Sequence, residues 1–474
     1  MMRSLFSGVS GLKNHQTRMD VIGNNISNVN TTGFKSSRVN FEDSLSQTLT
    51  AASSASGTTG GTNPKQIGLG SKISAIDVNF KDGSIQSTGI NTDLCLSGNA
   101  LFVVKQGNQT FYTRNGAFNF DSEGNLVNAE GLYVQGYMNA SATEHNSINT
   151  NGATSSIQIR AGKTMPSSAT KTANYVNNLN ASAATITAIT YTDKDGNTHT
   201  VDPSATDPSV TVDGTNNIAA VLTMSDGTTQ TVTSGHYTIN HSIPLSTTIK
   251  VYDTLGAAHV VPVTVEKTGP DKWLAQLTQN PLTIEEEDGT ETKVSMDPTV
   301  VPFTSSGAFD GTTGTAPIMS LSYTNGAENQ TVVVSFSNLT QYANSSTINA
   351  EADGYASGTL DTVTIDESGT VVGTYTNGVL RKEAQIAVAQ FTNAPGLTKK
   401  GNSLYTESNN SGTPNIGTAE GFGATITASA LEMSNVDVAE EFSNMIITQR
   451  GFQSNSKIIT VSDEMLENLI NMKR

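Results

Sequence analysis

A seven-residue apolar rhythm at both ends of the chain constrains its fold more than any other feature. Leu5, Leu12, Met19 and Ile26 recur at that interval near the N-terminus, flanked by Phe6, Val9, Ile22 and Val29. Leu431, Val438, Met445, Phe452, Ile459 and Leu466 keep the same interval near the C-terminus. Such repeats on helices ask for helical partners. The companion positions of the second series are mixed, since Phe442 and Ile470 are apolar while Gln449, Ser456 and Asp463 are not. That argues against a clean two-stranded zipper and for looser packing among several helices.

The first helix is expected over residues 1–30, where Asn24, Asn25, Asn28 and Asn30 dilute helix propensity and Gly33 offers a stop. The second is expected to start from an N-cap at Ser434, with Asp437 three residues on, and to run to Asn471. Gly451 inside it marks a close helix contact or a bend, or is simply a tolerated glycine. A lone helix of this composition is marginal in water, so the N-terminal end is expected to be disordered in a monomer and to order on assembly. Candidate assembly positions are Leu5, Val9, Leu12, Met19, Ile22, Ile26, Leu431, Val438, Phe442, Met445, Phe452, Ile459, Leu466 and Ile470.

Between the ends the texture changes. Hydrophobic residues make up 35% and charged residues 14% of 474, with Gly, Ser, Thr and Asn abundant, which favours turn-rich β structure. Alternating stretches are broken by Asp82-Gly83, Asn115-Gly116, Glu123-Gly124, Asp195-Gly196 and Asp226-Gly227, the pattern of short antiparallel strands. The expected fold is mainly β, with discontinuous outer domains in a nested insertion and long α-helical termini forming a coiled-coil-like inner domain. The boundaries read as residues 1–33 and 432–474 for the helical part, with 34–70 as a linker or extended bridge. Residues 71–144 and 355–431 read as a discontinuous middle domain, and 145–354 as an outer region with an extra domain at 180–242. Lone Trp273 is expected in a β core.

Signals for chemistry are weak. A formal net charge of −16 offers no positive field for a phosphate backbone, so no nucleic acid is expected. No apolar run approaches the length of a membrane span, so no membrane insertion is expected, and the polar N-terminus lacks the apolar core of a secretory signal. Cys95 excludes an internal disulfide framework and reads as a small buried side chain. His15, His145, His199, His236, His241 and His259 show no metal-ligand spacing. The calcium-like turns at Asp193 and Asp195 and at Glu285 to Asp288 lack the later ligands of a full loop. No catalytic, cofactor or metal residue is assigned.

The end sequences carry a resemblance. MRSLFSGVSGLKNHQTRMDVIGNNISNVNTTGFKSSRVNF, above all Asn24 to Lys35, is similar to the N-terminus shared by the bacterial flagellar rod and hook protein family. SNVDVAEEF (Ser434 to Phe442) and QRGFQSNSK (Gln449 to Lys457) resemble the family's C-terminus. Three middle segments, Ile249 to Lys267, Tyr342 to Leu360 and Ile365 to Leu397, resemble its hook branch. Residues 180–240 carry no such likeness, and Cys95 departs from the small residue usual after the TDL of its motif.

The resemblance implies a structural subunit, not an enzyme, that self-assembles into the curved hook, a flexible joint transmitting torque from motor to filament. Implied partners are identical subunits in a helical tube, the hook cap protein, the distal rod protein at the base, the hook-filament junction protein at the tip and the flagellar export apparatus. The implied location is the extracellular hook on the basal body, reached without a cleaved signal peptide. Two alternatives stay open on the residues alone: a distal-rod-like axial subunit, and a secreted β-rich adhesin or glycan-acting enzyme, which would need a carboxylate pair that nothing singles out.

Overall fold

The structure is a computed structural model that describes residues 2–55, 57, 60–140, 147–286, 289–311 and 316–472. The chain divides into two compact units, one made of Met1–Lys163 with Leu360–Arg474 and the other of Thr164–Thr359. It is mostly β, with one long helix near each end, α1 (Met2–Ser27) and α2 (Val438–Asn471).

In the first unit both arms of the chain build one sheet. Along most of it the strands run in the order Gly358–Ile365, Thr370–Tyr375, Leu380–Ile386, Tyr133–Met138, Ala100–Gln106, Gln109–Thr113, Leu404–Thr406 and Thr398–Gly401. Alternating apolar side chains from both arms meet beneath it, among them Leu94, Phe102, Val134, Val371, Ile386 and Val388. The first arm extends further than residue 144. Ser155–Ser156 pairs with Tyr133–Met138, and Ile157 and Ile159 are buried in this core, so the arm leaves the unit only at Lys163.

Residues 34–70 are not a linker. Ser37–Asp43 pairs antiparallel with Ser71–Val78, and Ser46–Thr50 pairs with Lys65–Gly68 in a fully exposed ribbon. The Ser, Gly and Thr content that suggested a loop serves here as short strands whose ladder bonds are met by each other. Helix α1 ends at Ser27, earlier than expected. Beyond it Gly33 takes φ +65, donates its N–H to the Glu432 carbonyl at 2.8 Å, and leaves no room for a Cβ against the Asn115 backbone.

The C-terminal helix also begins later than expected. Asp437 is the N-cap, its carboxylate accepting from the N–H groups of Ala439 and Glu440. Ser434 does not cap, because the residues around it are tied elsewhere. Met433 donates its N–H to Ser84, and Asn435 accepts from Ser36 N–H and donates to Asn79 and Lys81 carbonyls. Leu431 accordingly lies in a strand, Ala430–Glu432, paired with Ile85–Ser87, and not on the helix.

A buried charge cluster joins these pieces. Glu432 receives Lys35 Nζ at 2.7 Å and Arg114 Nε at 2.8 Å, and Arg114 reaches Asp82 at 2.6 Å and the carbonyls of Gly98 and Ala100. Gly83 N–H donates to Glu432 as well, so Asp82-Gly83, read as a hairpin turn, instead clamps the cluster. Burial alone would raise the Glu432 carboxyl, but Arg114 and Lys35 outweigh it and hold it below the usual carboxylate range.

In the second unit, two sheets enclose Trp273. One has the order Leu245–Tyr252, Ala258–Gly269, Lys272–Leu277, Thr299–Pro302; the other is six-stranded, with Thr172–Asn180 parallel to Gln330–Tyr342. Trp273 is buried, and its ring N–H donates to Gln341 at 2.9 Å. A smaller four-stranded sheet, Thr198–Thr200, Ile186–Asp193, Asn217–Met224 and Thr229–Val232, has a separate apolar cluster around Ile189, Leu222 and Tyr237.

Removing Glu432 strands two buried cations, so Glu432→Ala is expected to destabilise the first unit by about 3–5 kcal/mol in urea unfolding at neutral pH. A folded-state value below the unfolded one gives stability that is present above the ordinary carboxylate range and lost as pH falls through the folded value. The wild type should therefore lose more stability than the variant on acidification; parallel losses would contradict the assignment.

Candidate assembly interface of the terminal helices

Helices α1 and α2 lie antiparallel. Gly8 faces Ile459, Gly11 faces Asn455, His15 faces Gly451, Arg18 donates to Asn444 at 3.1 Å, and Asn25 donates to Glu441 at 2.7 Å. As one number rises the other falls. The seam between them is lined largely by small and polar residues, with Ile459 packed on Gly8. A Cβ on Gly11 would come within 2.8 Å of the Asn455 amide, and one on Gly451 within 2.6 Å of the His15 ring, so the glycines set how closely the helices approach. Of the readings of Gly451, the close contact is the one seen.

The strand Ser37–Asp43 locks this pair in place. Asn25, buried, donates to the Ser37 carbonyl and accepts its N–H, while its amide also holds Glu441. Asn14 donates to Ser71, and Phe41 sits edge-on to His15 and under Arg18. Burial, with Glu440 beside it, raises the Glu441 carboxyl despite Asn25 and Arg18. The asparagines that weaken the helix as a sequence are thus used as side-chain connectors.

The apolar sevens form this seam only in part, with Ile459 packed against Gly8. Ile22 is buried, and Leu5, Leu12, Met19, Ile26, Leu431, Met445, Ile459 and Leu466 are half-buried. Val9, Val438, Phe442, Phe452 and Ile470 are exposed. So are Phe6 on α1 and Ile446, Ile447, Ile458, Met465 and Leu469 on α2, an apolar surface that the described residues do not cover. Reasoning from apolar residues alone missed Gly8, Gly11, Asn25, Thr448, Asn455 and Ser462. The signal was present as a second set of sevens, Glu441, Thr448, Asn455 and Ser462, of which Thr448 and Ser462 are buried. Small and polar types hid it.

The other candidate groups are engaged locally. His259 is buried between Asp253 at 3.3 Å and Glu286 at 2.8 Å, and His199 meets Asp193 at 2.9 Å. The Asp193 carboxylate also accepts from Asp195 and Asn197 within its own turn. His236 bonds Thr211, and His241 lies 3.3 Å from Glu266. His145, Glu287 and Asp288 lie outside the described residues. Cys95 is buried in Leu94–Ser97, and burial first, with Glu432 nearby, pushes its thiol up to about 11. Among the described residues no group of three His, Cys, Asp or Glu side chains could hold a metal ion, and no helix is long and apolar enough to cross a membrane.

Paired terminal helices with an uncovered apolar surface, carried on a β-rich body, define a structural axial subunit. Family models match at both ends and in between: Flagella basal body rod protein over residues 5–35, Flagellar hook protein FlgE/F/G D1 domain over 95–164, Flagellar basal body protein FlaE D2 domain over 237–355, and Flagellar basal body rod FlgEFG protein C-terminal over 427–472. The flagellar hook protein FlgE of Treponema pallidum is 39% identical, with 100% of each chain covered. That of Escherichia coli is 32% identical over 98% of each, and the flagellar basal-body rod protein FlgG of Bacillus subtilis is 28% identical over 100% of each. The chain belongs to the flagellar hook protein FlgE family, whose members are structural subunits and not enzymes.

Because Gly451 sets the helix separation, Gly451→Leu is expected to force the helices apart at a cost of about 1–3 kcal/mol. Limited proteolysis should then cut residues 2–27 faster than in the wild type. An unchanged rate would mean that the seam does not depend on this approach.

Proposed function

We propose that this chain polymerises into the wall of a curved hook tube through the apolar surface of its terminal helices. The observation that carries the reading is the exposure of Phe442, Ile446, Ile447, Phe452 and Ile470 on one helix. Fully burying a side chain of this size is worth about 1.5–3 kcal/mol, so a few of them covered by a neighbour exceed what polar contacts on the β surfaces offer. A polar, glycine-lined seam within the chain and an apolar surface left outside it divide the two tasks: the seam pairs the ends, and the apolar positions join copies in a coiled-coil-like inner layer.

On this reading Met1–Lys163 with Leu360–Arg474 supplies the inner and middle layers of the tube, Thr164–Thr359 is inserted between them and faces outward, and 180–242 adds a further outer domain. Copies of the chain are the principal partners. The cap protein at the growing end, the distal rod protein below, the junction protein above and the flagellar export apparatus complete the set, with delivery to the cell exterior by that apparatus and without a cleaved signal peptide. The curved tube then carries torque as a flexible joint.

The double variant Phe442→Ser, Phe452→Ser tests this by electron microscopy under conditions in which the wild type forms tubes. The expected outcome is loss of tubes with unchanged fluorescence from Trp273, the single tryptophan, which reports the folded outer unit. Tubes of normal length from the variant would overturn the proposal.

A further inference from the structure

His15 occupies the point where α1, α2 and the Ser37–Asp43 strand meet. Its ring lies against Gly451 of α2, closely enough that no Cβ fits between them, and edge-on to Phe41 at 5.9 Å. Its Nδ1 is buried without a hydrogen-bond partner. Among the described residues no carboxylate lies within ion-pair distance of it, and the charged group acting on it is another cation, Arg18. A ring held this way has no anion to receive a second proton.

The surroundings offer little relief. On α1, Arg18 is committed to Asn444 and to the Phe41 face. On α2, Gly451 brings no charge, Arg450 is exposed, and Glu441 is held by Asn25. On the strand and its partner, Glu42 pairs with Lys72 at 2.8 Å, and Arg38 lies 4.0 Å from Asp77.

We propose that His15 is a proton-sensitive lock on the terminal helix pair: the neutral ring closes the seam, and acid opens it because only the released ring can take up the proton freely. Burial, with Arg18 beside it, lowers the ring below the ordinary histidine range, in keeping with this geometry. The sign follows. The open form binds the proton first, so closure is complete above the ordinary histidine value of about 6.5 and is lost as pH falls below it. Glu441 acts in the opposite sense at lower pH, since its raised carboxyl is relieved by protonation. The lock concerns pairing within one chain and does not require that the tube reading be right.

The test is amide hydrogen exchange of the full-length chain at about pH 7.5 and about pH 5.5, corrected for the intrinsic pH dependence of exchange, with the outer unit as internal reference. In the wild type, opening of residues 2–27 and 438–471 should rise by up to about tenfold between the two conditions while the reference stays constant. His15→Phe, which keeps a ring against Gly451, should remove that rise, and His15→Gln should do the same if Phe overfills the site. An equal rise in wild type and both variants, no rise in the wild type, or no protection of the wild-type helices at either pH would each overturn the proposal. Tube formation, read separately by sedimentation, can fail without affecting this outcome.

Discussion

The buried carboxylate of Glu432 is the contact on which the first unit depends. It comes from the segment entering the C-terminal helix, and it holds Lys35, from the segment leaving the N-terminal helix, together with Arg114 of the β body. Three stretches distant in sequence are thereby fixed at one point. Charges taken out of water must be paired and hydrogen-bonded, so the cluster tolerates one arrangement and penalises others. Its value lies in placement: each helix leaves the β body from a defined position, and the two then meet at the register set by Asn25, Gly11 and Gly451.

The helix pair departs from the usual arrangement of an amphipathic hairpin. Glycines, asparagines and threonine line the seam beside Ile22 and Ile459, while Phe442, Ile446, Ile447, Phe452 and Ile470 are left exposed. A chain designed to be complete by itself would cover that exposed surface too, because burying apolar surface is the main source of folding free energy. The uncovered surface makes sense for a subunit of a polymer. Close, polar pairing gives the ends a defined geometry at little hydrophobic cost, and the apolar surface is kept for contacts between copies. Membership of the hook family agrees with that division of labour.

Much of this was legible in the sequence. The sevens marked both helices, the alternating stretches marked the β body, and the NNISNVNTTGFK and SNVDVAEEF segments marked the family. The linker over 34–70 misled because short exposed strands share the composition of loops. Ser434 misled because an N-cap is decided by where backbone donors go, and those near Ser434 are bound to Ser84 and Phe34. Leu431 kept the seven-residue interval while sitting in a strand, since spacing says nothing about a carboxylate one residue later that is held by Lys35 and Arg114. Apart from Gly451, the polar seam escaped notice because periodicity arguments count apolar residues, whereas the close approach is also recorded in Gly8, Gly11 and Asn455.

The central claim, that the outward apolar surface of the terminal helices joins copies of this chain, is tested most directly by a helical reconstruction of the assembled tube by electron cryomicroscopy. The account predicts that Val9, Phe442, Phe452 and Ile470 are buried against helices of neighbouring copies while the Gly11–Asn455 and His15–Gly451 contacts persist within each chain. Helices whose apolar side chains still face solvent in the tube, with copies joined only through their β domains, would contradict it.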